Sequence, residues 1–343
     1  MKQLLNTLYI TLPDAYLAVS GENIVIKQDD GILARYPFHN LGDIVSFSYL
    51  GVSPKLIQKC MGYGIGICYL TPTGRFIGRL RGESKGNILL RRKQYRIADD
   101  EKEGLNISKN IIFAKIYNER WTIERYIRQY EQRIDILHLN KSSEYLAGLL
   151  EKTVKVNDIE ELRGVEGIAQ AKYFGCFDEM ILNQKESFEF GIRTRRPPLN
   201  PVNTMLSYIY SVLSNDVASA LESVGLDPYA GFMHTDRPGR ISLALDLVEE
   251  FRAPIADRFV LSLINMNQIK RDDFIYEDNG AVLIKEDSKK KIIKLWQERK
   301  SKTLTHPFLN EKIKWGLVPF VQALLLARYL RGDLDGYPPF LWK

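Results

Sequence analysis

The sequence predicts an α+β protein in which a small N-terminal β-rich domain precedes a larger, mostly α-helical domain. Up to about residue 90, β-branched and aromatic residues occur in short runs separated by turn signals. From about residue 108, apolar residues instead recur at helical spacing over long stretches. Hydrophobic residues form 45% of the 343 residues, which is ample for packed cores. We therefore expect a β-rich domain over residues 1–90, a linker over 91–107 and a helical domain over 108–343.

The N-terminal elements follow from short runs and the turns between them. Strands are predicted over residues 16–20, 23–27 and 66–70, with turns at Gly21-Glu22, Asp29-Asp30-Gly31 and Pro72-Thr73-Gly74. One helix is predicted over 53–61, because Ser53 is a favourable N-cap and Pro54 suits the first helical position.

The C-terminal elements follow from helical periodicity. One or two helices are predicted over 108–140, and single helices over 142–150, 168–183, 202–224, 242–264 and 312–332. The prolines between residues 197 and 201 predict an extended break, and Pro254 should kink or split its helix. Asn279-Gly280 predicts a turn, and the tail over 337–343 has no predicted structure.

The overall charge points toward a polyanionic partner. Lys and Arg total 48 against 42 Asp and Glu, which gives a net charge of +6 and a pI near 9.0. Two basic clusters could follow a phosphate backbone, although solvated surface charge explains them equally well. The first contains Arg75, Arg79, Arg81, Lys85, Arg91, Arg92, Lys93 and Arg96, and the second contains Arg193, Arg195 and Arg196.

Cysteine usage and hydropathy favour a cytoplasmic protein. The three cysteines have no CxxC spacing, so neither a disulfide framework nor a zinc ribbon is indicated. The N-terminus lacks a secretory pattern, and no stretch has the roughly 18 apolar residues of a membrane span. We expect a protein that is neither secreted nor inserted into a membrane.

One histidine and several acids suggest a divalent-metal site. His234 lies in a loop-like stretch ahead of Asp246, Glu249 and Glu250, and Glu166 lies upstream between two glycines. The spacing i, i+3 and i+4 places the three later acids on one face if residues 242–251 are helical, so they could converge on a metal. Carboxylates with one imidazole suit Mg²⁺ or Mn²⁺, whereas zinc is disfavoured because the HExxH pattern is absent.

Each of these residues also has an interpretation without a metal. Glu166 could interact with a helix dipole near a helix start, and His234 could bond to Asp236. Asp246 is surrounded by apolar neighbours in the sequence, so as an unpaired carboxylate it would carry a large desolvation cost. A metal would relieve that cost, and so would the nearby Arg252.

Several catalytic classes are excluded by their missing motifs. The sequence contains no GxxxxGK[ST] phosphate loop and no GxSxG nucleophile elbow, and Gly62-Tyr-Gly-Ile-Gly66 lacks dinucleotide-fingerprint spacing. Nucleotide hydrolysis by a phosphate loop and serine hydrolysis are therefore not predicted.

Four sequence blocks resemble the CRISPR-associated integrase family Cas1. They are LRGVEG (162–167), RRPPLNPVN (195–203), HTDRPGR (234–240) and LALDLVEEFR (243–252), and they occur in the family's order. The β-rich N-terminal region and the chain length are also similar to that family. The resemblance therefore spans nearly the whole chain.

The resemblance implies a metal-dependent DNA endonuclease and integrase that joins the 3′-hydroxyl ends of short foreign DNA to a CRISPR repeat. By the same resemblance the helical domain is the catalytic one, and Glu166, His234 and Glu249 match the family's ligands for Mg²⁺ or Mn²⁺. Asp246 is the rival for the third ligand, since many relatives carry aspartate where this chain has Glu249, and Glu250 has a less certain role. The implied assembly contains two homodimers flanking a dimer of the small protein Cas2, with DNA as substrate.

Two other hypotheses remain open at this level. The chain could be a non-catalytic DNA-binding scaffold whose acidic residues belong to a salt-bridge network. It could also be a metal-dependent nuclease directed at RNA.

Overall fold

A computed structural model describes residues 7–29, 31–71, 76–82 and 88–343. The chain divides into two units. The N-terminal unit comprises Met1–Lys85 together with Lys285–Lys302, and the helical unit comprises Gly86–Ile284 and Thr303–Lys343. The fold is thus the α+β class that the sequence predicts, with the β-rich part first and the helical part after it.

Two small sheets form the β-structure of the N-terminal unit. The first sheet has the order β1-β5-β6-β7, in which β1, β5 and β6 run parallel and β7 pairs antiparallel with β6. The second sheet is the antiparallel meander β2-β3-β4. The strands are β1 (Thr7–Ile10), β2 (Tyr16–Ser20), β3 (Asn23–Gln28), β4 (Gly31–Pro37), β5 (Asp43–Ser46), β6 (Gly66–Leu70) and β7 (Phe76–Leu80).

Helix α1 (Pro54–Tyr63) closes the core of this unit. Its start was predicted correctly, since the Ser53 side chain accepts a hydrogen bond from the Leu56 amide and Pro54 occupies the first turn. Leu56 and Cys60 are buried together with apolar residues of both sheets, such as Ile24 and Ile67. Burial raises the pKa of the Cys60 thiol to about 12, so this thiol is unreactive at neutral pH.

The helical unit is built around the long helix α3. Its helices are α2 (Ile88–Asp99), α3 (Glu101–Tyr130), α4 (Ile136–Lys155), α5 (Ile159–Gly175), α6 (Pro201–Ser223), α7 (Ser242–Val248), α8 (Arg258–Asn265) and α10 (Val318–Arg331). The hairpins β8 (Phe274–Tyr276) with β9 (Val282–Ile284) and β10 (Thr303–Thr305) with β11 (Lys312–Lys314) complete it. Helix α9 (Glu286–Ser301) belongs instead to the N-terminal unit.

Several element boundaries differ from expectation for identifiable reasons. Residues 91–107, expected as a linker, lie in α2 and α3, because Asp100 caps α3 through the Lys102 and Glu103 amides. The last helix starts later than the predicted residue 312. Residues 312–317 form β11 and a 3₁₀ turn, and Pro319 then lies in the first turn of α10. The predicted split at Pro254 is confirmed, because a π-helical segment, Arg252–Asp257, joins α7 to α8.

The proline break and the Asn279 turn are also confirmed. No helix forms over residues 189–199, and α6 begins at Pro201 with Asn200 as its N-cap. Gly280 has φ 82°, which favours glycine, and it follows Asn279 in the turn of the β8–β9 hairpin. In the part of the chain that the structure describes, no helix is long and apolar enough to span a membrane.

The C-terminal tail is held by the buried carboxyl group of Glu250. It accepts hydrogen bonds from Tyr337 Oη at 2.7 Å, the Phe340 amide at 2.8 Å and Gln322 Nε2 at 3.1 Å. The side chain of Asn118 on α3 adds a second attachment, donating to the Phe340 carbonyl and accepting from the Trp342 amide. The tail is therefore an ordered part of the helical unit.

Removing this carboxyl group should release the tail. We expect Glu250→Ala to lower the free energy of unfolding by about 3 kcal/mol, because buried donors are left without an acceptor. Urea unfolding and proteolysis of the native protein near residue 337 measure this. The control is Glu151→Ala on the exposed face of α4, which should change neither. Equal stability and equal protease resistance in both variants would contradict the role assigned to Glu250.

Candidate metal centre

A buried lysine connects two of the predicted site residues. Lys115 of α3 is 1% exposed, and its Nζ contacts Oε1 of Glu166 and, at 2.8 Å, Oε2 of Glu249. Glu166 lies in the middle of α5, whereas Glu249 follows the last residue of α7. Three separate chain segments thus bring an ammonium group and two carboxylates to one point.

Glu249 has a second cationic neighbour. Nη1 of Arg252 lies 2.7 Å from Oε1 and 2.9 Å from Oε2 of Glu249. Burial alone would raise the pKa of Glu249, but Arg252, Lys115 and, more weakly, His234 lower it to about 2. The carboxylate is therefore ionised although it is 3% exposed, and His234 is close enough to contribute to its field.

His234 is held in place by Asp246 rather than by Asp236. Oδ1 of Asp246 lies 2.6 Å from Nδ1 of His234 and accepts from the His234 amide, while Oδ2 accepts from the Phe232 and Met233 amides. When Nδ1 donates its proton to Asp246, the lone pair of a neutral imidazole is on Nε2. No described residue forms a hydrogen bond with Nε2, so this atom is free to bind a ligand.

The loop that carries His234 also depends on a close backbone approach. A Cβ placed on Gly231 would lie 2.8 Å from Cβ of Ser242 and 2.9 Å from Oδ2 of Asp246. The absence of a side chain at Gly231 therefore lets the loop reach the start of α7 and the carboxylate of Asp246.

A further acid lies one turn beyond Lys115 on α3. Glu119 is 3% exposed, and its Oε2 has no hydrogen-bond partner among the described residues. Burial, reinforced by Glu166, Asp257 and Glu249, raises its pKa to about 8 despite the opposing effect of Lys115. At neutral pH this carboxyl group is therefore largely protonated.

Three expectations about the acidic residues are corrected. Asp246, Glu249 and Glu250 do not converge, because α7 ends at Val248 and their carboxyl groups reach the His234 loop, Lys115 and the C-terminal tail respectively. Arg252 pairs with Glu249 and not with Asp246. Glu166 does not lie at a helix start, because Asp158 caps α5 two turns earlier.

The ligand types, but not their present contacts, fit a divalent cation. Among the described residues, no group of three or more His, Cys, Asp or Glu side chains is arranged to hold a metal. Glu166 and Glu249 nevertheless direct oxygens at one point, and Asp246 leaves Nε2 of His234 free in the manner of a histidine ligand. Lys115 Nζ lies at the point between the two carboxylates. A divalent cation would therefore replace the charge of an ammonium group that is already there.

The predicted DNA-contacting cations fall into two groups. Arg193 donates to Asn203 and Ser207, and Arg91 donates to the Gly225 carbonyl, so both guanidinium groups are committed within the protein. Arg92, Arg195 and Arg196 are exposed. Of the remaining first cluster, Arg81 pairs with Asp43 and Lys93 with Glu103, whereas Arg75 and Lys85 lie outside the described residues.

Sequence reasoning did not identify Lys115 or Glu119 as residues of this cluster. A signal was nevertheless present, because Lys115 and Glu119 are charged residues at i and i+4 within the apolar stretch of α3 that contains Ile111, Ile112 and Ile116. Charged side chains on a buried helix face require partners in the folded protein. The partners of Lys115, Glu166 and Glu249, lie 51 and 134 residues away in the sequence.

Solved structures show which class of protein has this fold. A Cas1 protein from Thermotoga maritima (TM1797) aligns with a TM-score of 0.81 and 22% identity, covering 95% of this chain and 97% of that one. A casposase bound to its integration product aligns with a TM-score of 0.83 and 26% identity, covering 98% and 94% of the two chains. The fold is thus that of the Cas1 and casposase proteins.

Sequence comparison gives the family. The family model described as CRISPR associated protein Cas1 matches residues 8–298. The chain is 46% identical to CRISPR-associated endonuclease Cas1 1 of Chlorobaculum tepidum and 44% identical to CRISPR-associated endonuclease Cas1 2 of Rhodospirillum rubrum, over the full length of each pair. The chain belongs to the Cas1 family.

Proposed function

We propose that this protein is a divalent-metal-dependent DNA endonuclease and integrase of CRISPR adaptation. It would insert short foreign DNA into a CRISPR array by attack of DNA 3′-hydroxyl groups on phosphodiesters of the repeat. Relatives of 46% and 44% identity are named endonucleases, and the similar casposase is bound to an integration product. These names support the reaction class.

The observation that carries the proposal is the convergence of Glu166 and Glu249 on one buried point, with His234 held by Asp246. The proposed ligands are Glu166, Glu249 and Nε2 of His234, and the ligand types favour Mg²⁺ or Mn²⁺. Such an ion supplies polarisation of the scissile phosphodiester and charge stabilisation in its transition state. Because both carboxylate oxygens of Asp246 already accept hydrogen bonds, we assign Asp246 to orienting His234 rather than to binding the ion.

The surrounding residues prepare the site electrostatically. Arg252 keeps Glu249 ionised, and Lys115 holds the two carboxylates together before an ion enters. Beside Glu166, a Cβ on either Gly164 or Gly167 would meet no atom of the described residues within 4 Å, so no neighbouring group among them covers the backbone at these two positions. Arg92, Arg195 and Arg196 are exposed cations that suit sequence-independent phosphate contacts.

The partners follow from the same proposal. We infer that the chain acts as a homodimer with Cas2 in a larger assembly on a DNA duplex and a repeat. A solved Cas6-RT-Cas1–Cas2 complex contains a part similar to this chain, with a TM-score of 0.82, in which 98% of this chain matches 36% of that one. At 22% identity that likeness concerns the fold.

The metal ligands are tested by removing them singly. Glu166→Gln and His234→Ala should each reduce Mn²⁺-dependent cleavage of duplex DNA and joining of an oligonucleotide 3′-hydroxyl to repeat DNA by roughly 100-fold or more, since even residues that only orient ligands contribute 10–100-fold. The measurement is product formation on gels with Mn²⁺, with Mg²⁺ and with EDTA. Matched controls are Glu144→Gln and His39→Ala, which alter exposed residues.

The salt-bridge network around Lys115 also favours a second candidate, a non-catalytic DNA-binding scaffold. That function predicts strong, salt-sensitive DNA binding without product at any metal concentration. Product formation by the wild type, lost in Glu166→Gln and His234→Ala but kept in the controls, excludes the scaffold. Full activity in both ligand variants would instead disprove the proposed site.

A further inference from the structure

A small basic cavity lies in the helical unit, away from the predicted site residues. It has a volume of about 100 Å³ and is formed by the second half of α3, the start of α8 and the end of the tail. The residues that determine its chemistry are Trp121, Arg125, Arg128, Arg258, Trp342 and Lys343. None of these residues belongs to the proposed metal site.

The cavity is strongly cationic. Three arginines and one lysine line it, whereas no aspartate or glutamate does. Arg125 donates to the neutral side chain of Gln129, and within the described ranges Arg125, Arg128 and Lys343 form no ion pair with a carboxylate. Like charges placed so close together repel one another, so an anion bound among them would be stabilised.

Two indole rings position these cations. Cζ of Arg128 lies 5.1 Å and Nζ of Lys343 lies 5.0 Å from the Trp121 ring centre. On the other side, Cζ of Arg258 lies 4.2 Å from the Trp342 ring centre. Contact with an aromatic face places a cation without using its N–H donors, so the donors of Arg128 and Lys343 stay available to oxyanions.

The size of the cavity suits a single phosphate group. Pockets for small molecules usually enclose about 300–1,000 Å³, which is several times more than is present here. Arg128 and Lys343 are exposed, so a phosphate that is part of a longer polymer could enter from solvent. The cavity would then hold one phosphate and leave the rest of the polymer outside.

The cavity and the candidate metal centre lie along the same helix. Lys115 and Arg125 both belong to α3, and the side chains of Asn118 and Thr122 between them are buried. Ten residues separate Lys115 from Arg125, which corresponds to about 15 Å along a helix. The tail that completes the cavity is attached midway, because the Trp342 amide donates to Oδ1 of Asn118 at 2.9 Å.

We propose that this cavity binds a backbone phosphate of the DNA strand whose reacting end lies at the Glu166 and Glu249 site. The inference rests on the proposed function, which supplies the DNA strand. A phosphate group is shared by DNA and by free inorganic phosphate, so the test must separate these two sources.

The experiment compares DNA binding of the full-length protein and its Arg125→Gln/Arg128→Gln variant at several salt concentrations. Fluorescence anisotropy of a labelled single-stranded oligonucleotide, in EDTA, gives the affinities. We expect the variant to bind about tenfold more weakly, with a salt slope reduced by about one, as for loss of one phosphate contact. Arg125→Lys/Arg128→Lys keeps the charge and should retain most of the affinity, which distinguishes lost contacts from misfolding.

The matched control removes the same number of charges elsewhere. Lys152 and Lys155 are exposed at the end of α4, beside Lys109 of α3, whose Nζ donates to the Val154 carbonyl. Position 109 is sixteen residues, or about 24 Å of helix, from Arg125. Lys152→Gln/Lys155→Gln should therefore bind DNA with the wild-type salt slope.

A parallel titration with inorganic phosphate, followed by tryptophan fluorescence, tests whether the cavity binds free phosphate instead of DNA. A saturable change that Arg125→Gln/Arg128→Gln abolishes, combined with unchanged DNA affinity, would overturn the proposal in favour of a free-anion site. Unchanged DNA binding and unchanged fluorescence would overturn it altogether. If the wild type yields no metal-dependent product but the arginine variant still shows the reduced salt slope, the proposed function fails while the phosphate site stands.

Discussion

Replacing Lys115 with methionine is expected to destabilise the metal-free protein by about 3–5 kcal/mol, the usual cost of removing one partner from a buried ion pair. Lys115 is 1% exposed and contacts both Glu166 and Glu249. Without it, the two carboxylates repel one another, and only Arg252 still compensates Glu249. Methionine fills a similar volume, so the loss reflects charge more than packing.

The same substitution should increase the stabilisation by divalent metal. In the wild type an entering ion must displace the ammonium group of Lys115, whereas in Lys115→Met it enters between uncompensated carboxylates. An ion that binds only the folded state stabilises it by about 2.7 kcal/mol when its concentration is 100 times its Kd. Thermal unfolding with EDTA and with Mn²⁺ measures the difference, independently of activity.

The control for this prediction is Lys109→Met, which removes a charge from a half-buried position on the same helix, where, in the described part of the chain, Nζ donates only to the Val154 carbonyl. We expect its Tm to respond to Mn²⁺ as the wild type does. If the Tm of Lys115→Met is no more sensitive to Mn²⁺ than that of Lys109→Met, Lys115 does not occupy the position of the metal.

Asp246→Asn should weaken metal binding, because it removes the carboxylate that orients His234. The four donors around Asp246 are three backbone amides and Nδ1 of His234. An asparagine amide group would direct N–H bonds at some of these donors and turn the imidazole away from its present orientation. Loss of such an orienting carboxylate typically weakens metal binding 10–100-fold.

Calorimetric titration with Mn²⁺ checks this expectation, and the activity assays should show a parallel loss. Asp236→Asn is the matched control, because it makes the same change at an exposed position of the same loop. An Asp246→Asn protein that is folded and binds Mn²⁺ as tightly as the wild type would show that His234 does not need Asp246.

The sequence predicted local features of the helices better than the contacts between distant segments. Local patterns were sufficient for the helix cap at Ser53, the break before Pro201 and the split at Pro254, because each depends on neighbouring residues. The spacing of Asp246, Glu249 and Glu250 suggested a shared helix face. That inference was wrong, since α7 ends at Val248 and residues 249–251 form a turn before the π-helical segment.

Lys115 shows why the remaining contacts could not be predicted. Its partners come from two other segments, and nothing in the local sequence around Lys115 indicates which acids will meet it. The tail shows the same limit. Residues 337–343 have no periodicity, yet they are held by Glu250, 87 residues before Tyr337, and by Asn118, 224 residues before Trp342.

The position of helix α9 affects how this protein can be divided. All strands of the N-terminal unit precede residue 86, yet the unit also includes Lys285–Lys302, so it is discontinuous in sequence. The Gln297 side chain donates to the carbonyl of Thr7 in the first strand, joining residues 290 positions apart. A ribosome must therefore finish residue 302 before the first-made strands receive all their partners. Likewise, no single cut in the chain yields the N-terminal unit as an intact fragment.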